Sequence, residues 1–218
     1  MGWARWARVA GIIGGTVMLH ELAHALAARR AGGEVREVGV GFGPPLLRRK
    51  VGGVDVTLRP LPLGGFAAID VDRLPPARRV PVLLAGPLAN IAAGLLLRQA
   101  ARVPAPVLLP GQTARMQVGG LLSVLALLNS ADGGGPRSLA AAAGALNLSV
   151  GISNLLPLLP LDGGHLAVAR MEAAGFRPGA VSLFRGFSAA LFGYLAVWTL
   201  VADLARIRQA PPPCPKRG

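Results

Sequence analysis

The sequence predicts a polytopic α-helical membrane protein, with about four transmembrane helices and a short β-hairpin region between the first two. Three observations lead there. Apolar residues gather into runs of about 20, the length needed to cross a hydrocarbon core. Only 15% of the 218 residues are charged, against 52% hydrophobic and a mean hydropathy of +0.51, where a soluble chain would carry more charge. The charges that do occur flank the apolar runs, as topology rules require.

The first run covers residues 9–28, between Arg8 and the pair Arg29-Arg30. A basic start before an apolar run also describes a signal peptide, but this run holds His20, Glu21 and His24, which a cleaved leader has no use for. It reads as a retained span. Gly2 is not followed by Ser or Thr at position 6, which is Trp6, so the myristoylation pattern fails. The β region, residues 35–66, comes next. Val38, Val40 and Phe42 alternate with small residues, and Val54, Val56 and Leu58 alternate after a Gly52-Gly53 turn, which indicates a hairpin. Pro60 and Pro62 keep Leu61 and Leu63 extended while barring central pairing, so the strand Val54–Leu58 and its continuation are expected to present an exposed edge.

The second run, residues 80–101, is entered through Arg78 and Arg79. Residues 118–128 are apolar but too short to cross, and suit an interfacial or partly inserted helix. The third run, 139–161, is interrupted near its end by Pro157 and Pro160; the fourth, 180–204, is closed by Arg206 and Arg208. Residues 1–210 thus read as one unit, and 211–218 as a Pro-rich disordered tail. The single Cys214 excludes an internal disulfide and a cysteine metal cluster.

A formal charge of +13 would suggest nucleic acid as partner in a soluble protein. Here it is distributed as span-flanking Arg, and aromatics are only 5%, so no stacking surface accompanies it and nucleic acid is excluded. The loop between the first two spans carries Arg36, Arg48, Arg49, Lys50, Arg59 and Arg73 besides the arginines at its ends, which places it in the cytoplasm and both termini outside.

His20-Glu21-Leu22-Ala23-His24 is an H-E-x-x-H pattern. Four residues apart on a helix, the two imidazoles share a face and can reach one metal ion, with Glu21 placed to act as base toward water there. Ionisable groups inside an apolar span are costly and therefore functional by default. The extended H-x-x-G-x-x-H form is absent, so a third ligand comes from elsewhere. Glu34, Glu37 and Asp55 are candidates at the surface. Asp162 is the better one, because it ends an apolar run after two prolines and precedes Gly163-Gly164, where a broken helix could present a carboxylate inward.

In these residues the chain resembles the site-2 protease family of intramembrane zinc metalloproteases. HELAH matches that family's H-E-x-x-H, and the stretch from Asn154 through Pro157 to Leu161-Asp162-Gly163 matches its N-x-x-P-x-x-x-L-D-G. Ala85-Gly86-Pro87-Leu88-Ala89-Asn90 is similar to its A-G-P-x-x-N signature, and Gly41-Phe42-Gly43-Pro44 with Pro62-Leu63-Gly64-Gly65-Phe66 to its membrane-associated β region. The resemblance implies Zn2+ on His20, His24 and Asp162, Glu21 as general base, and Asn154 with the strand Val54, Val56 and Leu58 holding an unwound substrate by β-addition. It implies a multi-pass protein of the bacterial inner membrane, with lipid around it and the site toward the cytoplasm. Its substrates would be transmembrane proteins: an anti-sigma factor, a pro-sigma factor or a signal-peptide remnant. The PDZ domain of many relatives has no room between residues 102 and 137, which marks a minimal form. The alternative is a non-enzymatic zinc-dependent scaffold or chaperone with the same fold, for which the intact Glu21 would be superfluous.

Overall fold

The computed structural model describes residues 3–102 and 135–209. The expected segment 118–128 and the tail 211–218 lie outside them.

Helix α1 (Trp3–Arg30) carries the H-E-x-x-H pattern in its C-terminal half and ends on Arg29 and Arg30, cations that suit the negative end of a helix. Arg29 also donates to the Gly52 carbonyl at 2.7 Å, tying the following sheet to the helix end. Strands β1 (Val35–Phe42), β2 (Leu47–Val51), β3 (Val54–Leu58) and β4 (Leu61–Ile69) form one sheet in the order β2-β3-β1-β4. The hairpin at Gly52-Gly53 is there, joining β2 and β3; both glycines have positive φ (57° and 84°), as a two-residue turn of this kind demands.

The sheet is larger than the expected hairpin, and one assignment in it is corrected. Val54–Leu58 is not an edge. β3 pairs antiparallel with β2 on one side and parallel with β1 on the other, Val56 lying opposite Arg49 and Val38. The free edge beside the helices belongs to β4, which pairs with β1 alone. Pro60 and Pro62 do not prevent that pairing. An edge strand needs ladder bonds on one side only, and the register shifts between Val40 and Phe42, where the proline segment runs.

A 3-10 turn (Val71–Arg73) leads to α2 (Pro76–Ala100), which begins on Pro76, where a missing N–H costs nothing. Ala25 and Ala28 of α1, Val38 of β1, Val54 of β3, and Leu74 and Val82 form one buried core, so the sheet lies on the C-terminal half of α1. Helices α3 (Gly135–Asn154), α4 (Asp162–Ala173) and α5 (Pro178–Gln209) complete the chain. α2 and α3 form the most extensive helix pair. They approach through glycine: a Cβ on Gly94 would stand 2.9 Å from the Gly144 carbonyl, and one on Gly151 2.7 Å from that of Pro87. Small residues at helix crossings are how membrane helices gain close packing without a hydrophobic drive. Thr16 and Asn147 add a buried hydrogen bond of 3.0 Å between α1 and α3.

Among the described residues, three helices are long and apolar enough to cross a membrane: Trp6–Arg30, Arg78–Ala100 and Pro178–Ala205. The expected fourth span is not shown among the described residues. The third run, 139–161, is helical only to Asn154; Pro157 disfavours helix in the residue before it, and the rest turns toward α4, a short helix the sequence reading missed. Leu183, Phe187, Val197, Trp198 and Val201 of α5 stand exposed, as a lipid-facing surface would.

Candidate metal centre

Three side chains meet where α1, α2 and α4 come together. His20 Nε2 lies 3.0 Å from Asp162 Oδ2, His24 Nε2 lies 3.1 Å from His20 Nε2, and His24 Nε2 lies 3.3 Å from the same carboxylate oxygen. The imidazoles are edge-on, at 79° with centroids 4.7 Å apart, so both Nε2 atoms point to one spot. Both histidines are buried.

Each ligand is placed by local backbone chemistry. The helical spacing of four stacks His20 over His24. Asp162 arrives because the chain breaks after Asn154: the Leu155–Leu161 stretch turns on short-range bonds such as Leu161 N to Leu158 O at 2.8 Å, and Asp162 then opens α4. Gly163 and Gly164 let α4 sit against that turn, since a Cβ on Gly164 would lie 2.5 Å from Leu158 and Leu159 backbone atoms. Ser188 of α5, fully buried, accepts the Leu159 N–H at 3.0 Å and pins the turn from the far side.

The triangle fits a small divalent ion. A tetrahedral zinc with bonds of about 2.0–2.1 Å keeps neighbouring ligand atoms about 3.3 Å apart, close to the three edges here. His24 Nδ1 donates to the Val82 carbonyl at 2.7 Å, which leaves the lone pair on Nε2, facing the triangle. Two imidazoles and a carboxylate are a donor set that zinc takes in hydrolytic sites, with a fourth position open. The other candidate carboxylates are engaged elsewhere. Glu34 pairs with Arg36 at 3.4 Å, Glu37 receives Thr57 and Arg59, and Asp55 pairs with Arg48 at 2.7 Å. The Arg48 hydrogen bond holds the Asp55 carboxyl below its ordinary value.

The cluster opens onto a cavity of about 390 Å³, lined also by Glu21, by Ala67 and Ile69 of β4, and by His165 of α4. Its far side is charged, with Glu172 held 3.1 Å from Arg185 and 3.9 Å from Arg79. β4 reaches the site because Gly65 lets α1 approach; a Cβ there would stand 2.8 Å from Glu21 Cγ. Glu21 is therefore a carboxylate beside the cluster, not in it, facing a cavity roomy enough for an extended peptide.

The remaining sequence candidates lie apart. Val54, Val56 and Leu58 do not line the cavity. Nor does Asn154, whose amide donates to the Val150 carbonyl of its own helix at 2.9 Å. The sequence reading missed Val82, Ser188 and His165. Only His165 left a signal, being an ionisable residue three positions from Asp162 and hence on the same helical face.

Residues 9–193 match the model of peptidase family M50. The chain is 39% identical over 98 residues to the zinc metalloprotease Rip1 of Mycobacterium tuberculosis, a match covering 38% of this chain and 24% of that one. To Rip1 of Mycolicibacterium smegmatis it is 38% identical over 102 residues, covering 38% and 25%. The chain spans about a quarter or less of the length of the curated relatives it matches. Among solved structures, the site-2 protease of Methanocaldococcus jannaschii superposes with a TM-score of 0.52 at 19% identity, covering 97% of this chain and 82% of that one, a likeness of fold.

Proposed function

The chain belongs to peptidase family M50, the site-2 protease family, and from that premise we propose that it is an intramembrane zinc endopeptidase, hydrolysing peptide bonds within or near transmembrane segments of other membrane proteins. The observation that carries the reading is the triangle of His20, His24 and Asp162 with Glu21 beside it on the wall of a peptide-sized cavity. His20, His24 and Asp162 would hold the ion. When bound, zinc supplies a Lewis acid and lowers the pKa of water toward about 7. Glu21 takes the proton of the attacking water and passes it to the leaving amide nitrogen.

A helical peptide bond is shielded by its own hydrogen bonds, so the substrate must be extended before attack. The free edge of β4 runs beside Glu21 and supports capture by strand addition, the role expected of Val54–Leu58. Gly65→Val tests this. The added side chain must push β4 away from Glu21, so cleavage of a helical transmembrane substrate should fall at least about tenfold, about 1.4 kcal/mol of barrier, while zinc content stays at wild type. Unchanged cleavage would mean that β4 is only scaffold. Asn154, outside the cavity and bonded to the Val150 carbonyl, could serve the extended strand only at a point beyond the cavity.

The chain is a membrane protein by its family and its apolar helices. We further propose a multi-pass topology in a bacterial inner membrane with the sheet and the site toward the cytoplasm, because β2 carries Arg48, Arg49 and Lys50, all exposed, and cationic loops stay inside. A cysteine at position 48, in a chain with Cys214 removed, should react with an impermeant thiol reagent only after the cells are opened. Reaction in intact cells would invert the topology. Substrates of the anti-sigma, pro-sigma or signal-peptide-remnant kind would appear as membrane fragments present with the wild-type chain and absent with Glu21→Gln, in a proteomic comparison of the two. Identical fragment sets would speak for a scaffold.

A further inference from the structure

One face of α2 lies along both imidazoles, and it presents a different group at every fourth residue. The Val82 carbonyl accepts from His24 Nδ1 at 2.7 Å. At Gly86 there is room for nothing: a Cβ would overlap His24 Nε2 and stand 2.8 Å from His20 Cε1. Asn90, 0% exposed, sets its amide 3.3 Å from His20 Nδ1. The Gly86-x-x-x-Asn90 part of the A-G-P-x-x-N signature therefore faces the metal cluster.

The two histidines are not equally provided for. An imidazole that ligates through Nε2 carries its proton on Nδ1, and a donor buried in an apolar span must find an acceptor. His24 has the Val82 carbonyl. For His20, the group at Nδ1 is the Asn90 amide, whose Nδ2 faces the ring. Among the described residues, Asn90 Oδ1 is buried with no hydrogen-bond partner. A carboxamide presents a donor and an acceptor of nearly the same shape, exchanged by a half-turn about its Cβ–Cγ bond. That half-turn gives the orphaned oxygen the Nδ1 proton and turns His20 into a lone-pair donor at Nε2.

We propose that Asn90 is a positioning residue for the metal: its Oδ1 accepts the His20 Nδ1 proton, fixing the ligating tautomer and the ring plane of His20 as the Val82 carbonyl does for His24. The proposal rests on the zinc reading of the cluster. Val82 acts through its backbone, so Asn90 is the side chain through which substitution can tune metal affinity at one histidine without touching a ligand.

The test is zinc affinity, measured by competition with a chromogenic chelator on the full chain in detergent. Asn90→Leu, similar in size but without an acceptor, should bind zinc about 10–100-fold more weakly, the usual loss when a metal ligand's hydrogen-bond partner is removed. Asn90→Asp offers only acceptor oxygens and should stay near wild type. A role as donor to Nδ1 would make Asp as damaging as Leu, and that result overturns the proposal. So does wild-type affinity in Asn90→Leu. Should either variant fail to fold, the wild-type chain decides by nitrogen-15 histidine spectra of the zinc-loaded form. His20 protonated at Nδ1 is the expected result; His20 protonated at Nε2 overturns it. Zinc affinity unmoved by His24→Ala would instead refute the zinc reading itself, and the proposal falls with it.

Discussion

Glu21→Gln should bind zinc as the wild type does and lose about two to four orders of magnitude in turnover of a transmembrane substrate. The direction follows from where Glu21 sits. It stands on the cavity wall next to His20 and outside the ligand triangle, whose edges are 3.0, 3.1 and 3.3 Å without it. Gln keeps the length and the hydrogen-bonding shape but cannot accept a proton from water, and general-base catalysis is worth about 10²–10⁴-fold, or about 3–5 kcal/mol of barrier. The loss should appear in kcat with KM nearly unchanged if the substrate strand is held along β4, as proposed, and not on the carboxylate. Turnover at the wild-type rate would remove Glu21 from the mechanism. Loss of zinc along with turnover would make it a ligand, against the geometry.

Asp162→Ala carries the second large effect. Asp162 Oδ2 is within 3.3 Å of both imidazole Nε2 atoms and is the anionic member of the triangle. Without it the site keeps two imidazoles side by side, too few ligands for a tetrahedral centre. Zinc affinity should fall by more than the roughly 10–100-fold that follows loss of a ligand's hydrogen-bond partner, and cleavage should vanish with the metal. The turn that delivers Asp162 is held by Ser188 and by Gly163-Gly164, so the backbone should survive the substitution. Zinc per chain after dialysis against a weak chelator measures this. A stoichiometric ion in the variant would assign the third ligand elsewhere.

How much of this could be read from the sequence depended on whether the signal was local. The helical period alone brings His20 and His24 onto one face, and Glu21 beside them. Asp162 was legible because two prolines before it and two glycines after it crowd the end of an apolar run, and the polar residue among them marked a break there. Strand order was not legible. Alternation at Val54, Val56 and Leu58 identifies a strand but not its neighbours; the prolines at 60 and 62 pointed to an edge, and the edge is the strand that follows them, not Val54–Leu58. The end of α3 was hidden because Leu155, Leu156, Leu158, Leu159 and Leu161 are as apolar as the helix they follow. The Val82 carbonyl left no trace, since a backbone acceptor has no residue type. Asn90 did leave one: it is a polar residue in an apolar span, as Asn154 is, and only the fold says which of the two faces the histidines.

Cleavage of peptide bonds through a zinc site inside the membrane can be followed by mass spectrometry of one reconstituted reaction. Purified chain and a single-span peptide are placed in lipid vesicles, the metal is stripped with a chelator, and zinc is returned at one equivalent. New peptide termini should appear inside the apolar segment, be absent after stripping, return with the added zinc, and be absent throughout with Glu21→Gln. Termini that persist without metal, or that form equally with the Gln variant, would contradict it.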